Sequence, residues 1–150
     1  MCEPSGFGPA EMRVALAEIF APWVQALGLE PVEARGDGAT FRLPCGPQVR
    51  RAMADGPPVL CGQAMAAAAD SASALALAGL NGRWRNCATV DLTIHFLRPM
   101  AAATAEVRVS ALSNGRRLAA TRVELRPLDD AGRPGKLAAA ATCAFAYLED

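Results

Sequence analysis

The 150-residue sequence predicts an α+β fold in which one long helix is wrapped by a curved antiparallel sheet, with an extra amphipathic helix at the N-terminal side. Three observations carry this. The run "LCGQAMAAAADSASALALAGL" is apolar on nearly every side of a helical wheel, as in a helix enclosed by other elements. The stretch after it alternates with period two. The strand-like runs are separated by short turn sequences, which join antiparallel neighbours.

Taken in chain order, "PAEMRVALAEIFAPWVQALG" places Met12, Leu16, Ile19, Phe20, Trp23 and Leu27 at helical spacing, which predicts one amphipathic helix over 9–27 ended by Gly28, with Pro22 as a candidate kink. "EPVEARGDGATFRLP" reads as a hairpin or one bent strand around Gly36 to Gly38, and "CGPQVRRAMADGPP" as a loop. The core helix runs from Gly62 to Leu80, with Asn81 and Gly82 as its stop signal. In "ATVDLTIHFLRP", Val90, Leu92, Ile94 and Phe96 alternate with Thr89, Asp91, Thr93 and His95. "TAEVRVSAL", "RRLAATRVELRP" and "KLAAAATCAFAYL" follow, the last two after the turns "SNG" and "DDAGRPG", so a four-strand meander is expected. A helix of about 20 residues and strands of about 10 have matching lengths near 30 Å, so such a sheet can cover the helix.

Composition narrows the function. A hydrophobic content of 52% in 150 residues fits one domain with a sizeable core and no disordered region. Fifteen basic and fifteen acidic residues cancel, so no overall field gathers nucleic acid or an anionic membrane. Five cysteines, Cys2, Cys45, Cys61, Cys87 and Cys143, lack a C-x-x-C pair and read as reduced thiols rather than a disulfide framework or zinc ligands. With no signal-peptide pattern and no apolar span, a cytoplasmic protein is expected.

One residue in the apolar helix demands a reason. Asp70 is a mediocre helix former, and an ionised side chain among apolar neighbours costs several kcal/mol unless paired. It is either a helix acid satisfied by an arginine or hydroxyl, or a group that does chemistry.

The order of elements and five motifs resemble the hotdog fold, in the phenylacetate-degradation (PaaI-like) branch of the acyl-CoA thioesterases, over roughly Thr40 to Leu148. The motifs are "CGQ" at Cys61 to Gln63, Asp70 nine residues after Cys61, "TVDLTIHFLRP", "NGRRLA" and "GKLAAAAT". The resemblance implies hydrolysis of an acyl-CoA thioester with Asp70 as nucleophile or general base and the Gly62 N–H as oxyanion donor. It also implies Thr89 as a group orienting the attacking water, and Arg116 and Arg117 as ligands of the coenzyme A phosphates. A helix N-terminus offers free N–H donors and a positive dipole end, and guanidinium groups suit phosphates. The chain departs from the family at three substrate-contacting positions: Cys61 stands for a His, Gln63 for a second Gly, and Asp55 for a polar residue often Asn. No cofactor or metal is implied, coenzyme A being part of the substrate, and self-association as a homodimer or a dimer of dimers is.

Other readings remain in the sequence. A nucleophilic Cys61 needs a base, and the single histidine is His95, in a strand. Arg83, Arg85 and Arg98 are further candidate phosphate ligands. A hotdog hydratase needs a His paired with an acid, which one histidine downstream of the helix does not supply. A non-catalytic acyl-CoA-binding protein is the rival from another class. Helix geometry adds one constraint: Gly62 and Asp70 are eight residues apart, so they lie about 12 Å apart along the axis and cannot both touch one carbonyl. A site shared across a two-fold axis resolves this.

Overall fold

A computed structural model describes residues 6–149; Cys2, read above as a thiol, lies outside them. Helix α1 (Pro9–Ile19) starts with Pro9 in its first turn, and Glu11 Oε2 accepts the Gly8 N–H at 2.7 Å. These backbone amides, first its own and then that of Gly8, hold the Glu11 carboxyl below its ordinary value. The face carrying Met12, Ala15 and Leu16 is buried.

The single helix expected over 9–27 is two. α1 stops at Ile19, Phe20 and Ala21 are extended, and a one-turn helix α2 (Pro22–Gln25) follows. Pro22 has no N–H to give, its ring clashes with the preceding turn, and it disfavours helical geometry at Ala21. The change of direction leaves Ile19 and Trp23 half or more exposed, whereas Leu27 stays in the core.

The stretch around Gly36 is a hairpin, β1 (Glu30–Arg35) and β2 (Gly38–Pro44). Gly38 has a packing reason to be glycine, since a Cβ there would lie 1.9 Å from the Val109 carbonyl oxygen. The expected loop after Cys45 contains a turn of 3-10 helix (Pro47–Val49) and a two-residue pairing of β3 (Arg50–Arg51) with β4 (Val59–Leu60). Arg50 clamps it: its guanidinium donates to the carbonyls of Cys45, Pro58, Ala101 and Ala102 at 2.5–3.2 Å. Charged donors on four otherwise free carbonyls hold two irregular segments against one another.

Helix α3 (Gly62–Asn81) is buried along most of its length, and Gly82, at φ +69°, closes it by giving its N–H to Gly79 O and Ala78 O. Four long strands follow: β5 (Cys87–Phe96), β6 (Thr104–Asn114), β7 (Leu118–Pro127) and β8 (Ala139–Tyr147). The six-stranded sheet has the order β1-β2-β6-β7-β8-β5, antiparallel throughout, and α3 packs on one face. The four-strand meander therefore holds only for β6 to β8. β5 is displaced to the edge beyond β8, because the segment after it cannot turn back as a hairpin. Leu97 and Arg98 both give their N–H to Ala138 O, Pro99 has none to give, and Met100 is buried with its carbonyl bonded to Leu60 N. The chain thus crosses the end of the sheet before β6 begins.

β5 carries a bulge. Thr89 pairs with Phe145 and Asp91 with Ala144, so Val90 is the extra residue. Cross-strand partners share a face, so Cys87 and Thr89 look toward α3 on one side of the bulge, and Leu92, Ile94 and Phe96 on the other. Asp91, Thr93 and His95 point away.

Cys45, Cys61, Cys87 and Cys143 are free thiols. Burial raises the thiol pKa of Cys45, Cys87 and Cys143, and at Cys87 the Asp70 carboxylate adds to it. In the unfolded chain these thiols ionise near about 8.5, while the folded protein keeps them protonated. Stability is therefore complete below that value and is lost as pH rises through it. The melting temperature is expected to fall steadily between about pH 8 and 10; a flat profile over that range contradicts this account.

Among the described residues, no helix is long and apolar enough to cross a membrane.

Candidate active site

Asp70 lies in the third turn of α3, half-buried, facing β5. Its Oδ1 accepts the Thr89 hydroxyl at 2.6 Å. This bond exists because the Val90 bulge keeps Thr89 on the helix side of the strand. Thr89 thus orients the carboxylate itself. Around the pair is a cavity of about 170 Å³ walled by Phe20, Ala74, Trp84 and Phe145. The polar pair therefore borders an apolar space, which strengthens any charge interaction made there.

Gly62 is the first residue of α3, so its N–H has no acceptor within the helix. It lines a separate cavity of about 330 Å³ together with Met65, Phe96, Arg51 and Arg98. The Phe96 ring rests on it, 3.1 Å from where a Cβ would be, so a side chain here forces the ring to move. Gly62 and Asp70 are not brought together within one chain, as the helix geometry requires.

The other expected site residues are placed as follows. Cys61 is the N-cap residue of α3, giving its N–H to Val49 O at 2.8 Å, and its side chain makes no capping bond. Gln63 is exposed in the first turn, and Asp55 is exposed in the bend before β4; neither lines the two cavities. His95 points to the face of the sheet opposite α3, so a Cys61–His95 dyad is not formed.

Arg116 and Arg117 are exposed in the β6–β7 turn, at the C-terminal end of α3. From Asp70 to Asn81 is eleven residues, about 16 Å along the helix axis. The turn is tied to that helix end by a closed ring of hydrogen bonds. Asn81 Nδ2 donates to the Tyr147 hydroxyl at 2.9 Å, the hydroxyl to Asn114 Oδ1 at 2.6 Å, and Asn114 Nδ2 to Asn81 Oδ1 at 2.9 Å. Tyr147 N bonds Arg117 O, and Arg85 bonds Arg116 O at 2.8 Å while lying 3.5 Å over the Tyr147 ring.

Of the remaining arginines, Arg83 and Arg85 pair with Glu149 and are not free for a phosphate. Bonds from Arg85 and then Arg83 pull the Glu149 carboxyl below its ordinary value. Arg98 gives one N–H to Leu137 O and borders the Gly62 cavity.

Sequence reasoning missed the aromatic wall and the asparagine–tyrosine ring. Asn81 and Asn114 stand in the stop and turn signals "NG" and "SNG", which disclose the turn but not the partner. Nothing local marks Phe20 or Trp84 as neighbours of Asp70.

A long helix packed on one antiparallel sheet is the architecture this chain shares with solved hotdog thioesterases. Residues 59–132, which hold Gly62, Asp70, Thr89 and the arginine turn, match the family model of the thioesterase superfamily, and the fold is that of the hotdog thioesterases. That match and the fold support thioester hydrolysis in general.

Solved structures agree along nearly the whole length. The conserved protein PA5202 from Pseudomonas aeruginosa is 26% identical, with 88% of this chain and 98% of that one covered at a TM-score of 0.73. A mutant of the phenylacetic acid degradation protein PaaI from Thermus thermophilus is 25% identical, with coverage of 85% and 100% and a TM-score of 0.67. A thioesterase from Haemophilus influenzae shares the fold at a TM-score of 0.78 and 17% identity, over 99% of this chain and 96% of that one. None of the curated protein sequences compared matches this chain.

Proposed function

We propose that the protein hydrolyses acyl-CoA thioesters to a free acid and coenzyme A, in sites shared between two copies of the chain. The observation that carries this reading is the Asp70 carboxylate, the one charged side chain of α3, fixed by Thr89 and bordering a cavity walled largely by apolar and aromatic side chains. In one course Asp70 takes a proton from water as the water oxygen adds to the thioester carbon. The C–S bond then breaks, and the proton passes to the leaving thiolate. In the other, the carboxylate adds to the carbon itself, expels the thiolate, and water hydrolyses the resulting anhydride. Both place negative charge on the carbonyl oxygen, which the Gly62 N–H of a second copy would bind. No metal or cofactor is needed for either course.

Association through β5 supports the shared site. It is a ten-residue edge strand, unpaired on its outer side, with Val90, Phe96 and Leu97 more than half exposed. Such an edge is a template for pairing with another strand. A dimer, or a dimer of dimers, in the cytoplasm is part of this reading.

Arg116 and Arg117 hold the phosphates in this scheme. Their distance from Asp70 along α3 is of the order spanned by the pantetheine arm, and the Asn81–Tyr147–Asn114 ring fixes their turn. The test is release of free thiol from a panel of acyl-CoA substrates. Replacing both arginines with Ala is expected to raise KM for acyl-CoA about tenfold or more, while leaving kcat/KM for short thioesters without the nucleotide close to wild type. Equal losses on both substrate types show that the arginines are structural. Binding without thiol release across the panel makes the protein an acyl-CoA-binding module instead.

A further inference from the structure

The cavity beside Asp70 is assembled from distant parts of the chain. Phe20 comes from the break after α1, Trp84 from the link between α3 and β5, and Phe145 from β8. Ala74 lies one turn beyond Asp70 on the same face of α3. Phe20 is aimed by the break that Pro22 imposes, and its carbonyl is held by Gln25 Nε2 at 2.7 Å. Its ring meets Trp84 edge to face, with centroids 5.7 Å apart and planes at 69°, a favourable arrangement for an aromatic pair.

Two properties define what this space takes. The first is polarity: among the described residues no cation lines it, and its polar groups are the Asp70 carboxylate, the Thr89 hydroxyl, the Cys87 thiol and the Trp84 indole N–H, beside apolar Ile19, Phe20, Ala74 and Phe145. A phosphate there would face the Asp70 carboxylate with no cation beside it. The Gly62 cavity differs in having two cations, Arg51 and Arg98, on its rim. The second is size. At about 170 Å³ it is close to an apolar cavity of about 150 Å³, which accepts one benzene ring.

We infer that this cavity holds the acyl group, and that the Phe20–Trp84 wall limits it to an apolar acyl chain of about six carbons or one aromatic ring. The inference rests on the thioesterase reading above, and adds to it the size of the substrate and two residues of the N-terminal region and the link that set it. Trp84 and Phe20 are specificity residues, whereas Asp70 carries the chemistry.

The experiment compares kcat/KM for straight-chain acyl-CoA substrates from acetyl to dodecanoyl, with benzoyl-CoA beside them. The wild type is expected to favour hexanoyl or benzoyl over dodecanoyl by about tenfold or more. Trp84→Ala enlarges the cavity and should raise the dodecanoyl-to-hexanoyl ratio about tenfold; Phe20→Ala, at a half-exposed position, makes the same shift if Trp84→Ala fails to fold. Ala74→Leu fills the cavity and should lower hexanoyl relative to acetyl by a similar factor. An active wild type whose ratios stay within about twofold in folded variants overturns the acyl pocket and leaves the hydrolase reading standing. A wild type that releases no thiol from any substrate overturns both.

Discussion

Asp70→Asn is expected to leave a folded protein whose kcat for acyl-CoA hydrolysis is lower by about a thousandfold. The amide is nearly isosteric with the carboxylate, and its Oδ1 can still accept the Thr89 hydroxyl that lies 2.6 Å from Asp70. The packing of α3 and the bond to β5 therefore survive, and the melting temperature should stay within a few degrees of wild type. What is lost is a group able to take a proton from water or to add to a carbonyl carbon. Thiol release and a thermal melt on the same sample separate the two effects. Turnover near the wild-type rate in a well-folded variant would show that Asp70 is a structural acid satisfied by Thr89.

The second large effect comes from mixing two inactive proteins. Asp70→Ala removes the acid, and Gly62→Pro removes the amide donor. Proline suits this position, since it is the first residue of α3 and Cys61 before it is already extended at ψ 151°. The atoms nearest a Cβ there belong to Phe96, an exposed side chain that can swing away. Each variant alone should be inactive. Refolded together in equal amounts, about half the dimers are mixed, and each mixed dimer has one site with both defects and one with neither. About a quarter of wild-type activity should return. Mixed dimers seen by native mass spectrometry without recovered hydrolysis would rule out a shared site.

The parts of this fold that were legible in the sequence are those decided locally. The period-two alternation, the Asn81–Gly82 stop and the small-residue run of α3 each depend on neighbours a few positions away, and each element appears where expected. Asp70 was legible too, because a lone acid on an enveloped helix stands out in composition alone. What the sequence could not show depends on tertiary competition. The place of β5 at the sheet edge is set by where Leu97, Arg98 and Met100 find their hydrogen bonds, with Ala138 and Leu60, both distant in sequence. The division of the first helix at Phe20 was hinted at by Pro22, yet Ile19 and Trp23 still read as core by spacing. Cys61, Gln63 and Asp55 were placed by resemblance, and only Cys61 is held by a bond that fixes the helix start.

The alternation in β5 also read Thr89 and Phe96 as lying on opposite faces, and the Val90 bulge reverses that. Because Thr89 stays opposite Phe145 and Asp91 opposite Ala144, losing Val90 leaves every other pairing of the strand in place. A one-residue deletion there is nearly silent for the ladder and merely straightens the strand. A deletion at Leu92 would also be absorbed by the bulge, but Asp91 would then take its place opposite Cys143 and turn a carboxylate toward α3. Val90 is thus the point at which evolution can add or remove a residue in this strand, and related chains should align with their gap there.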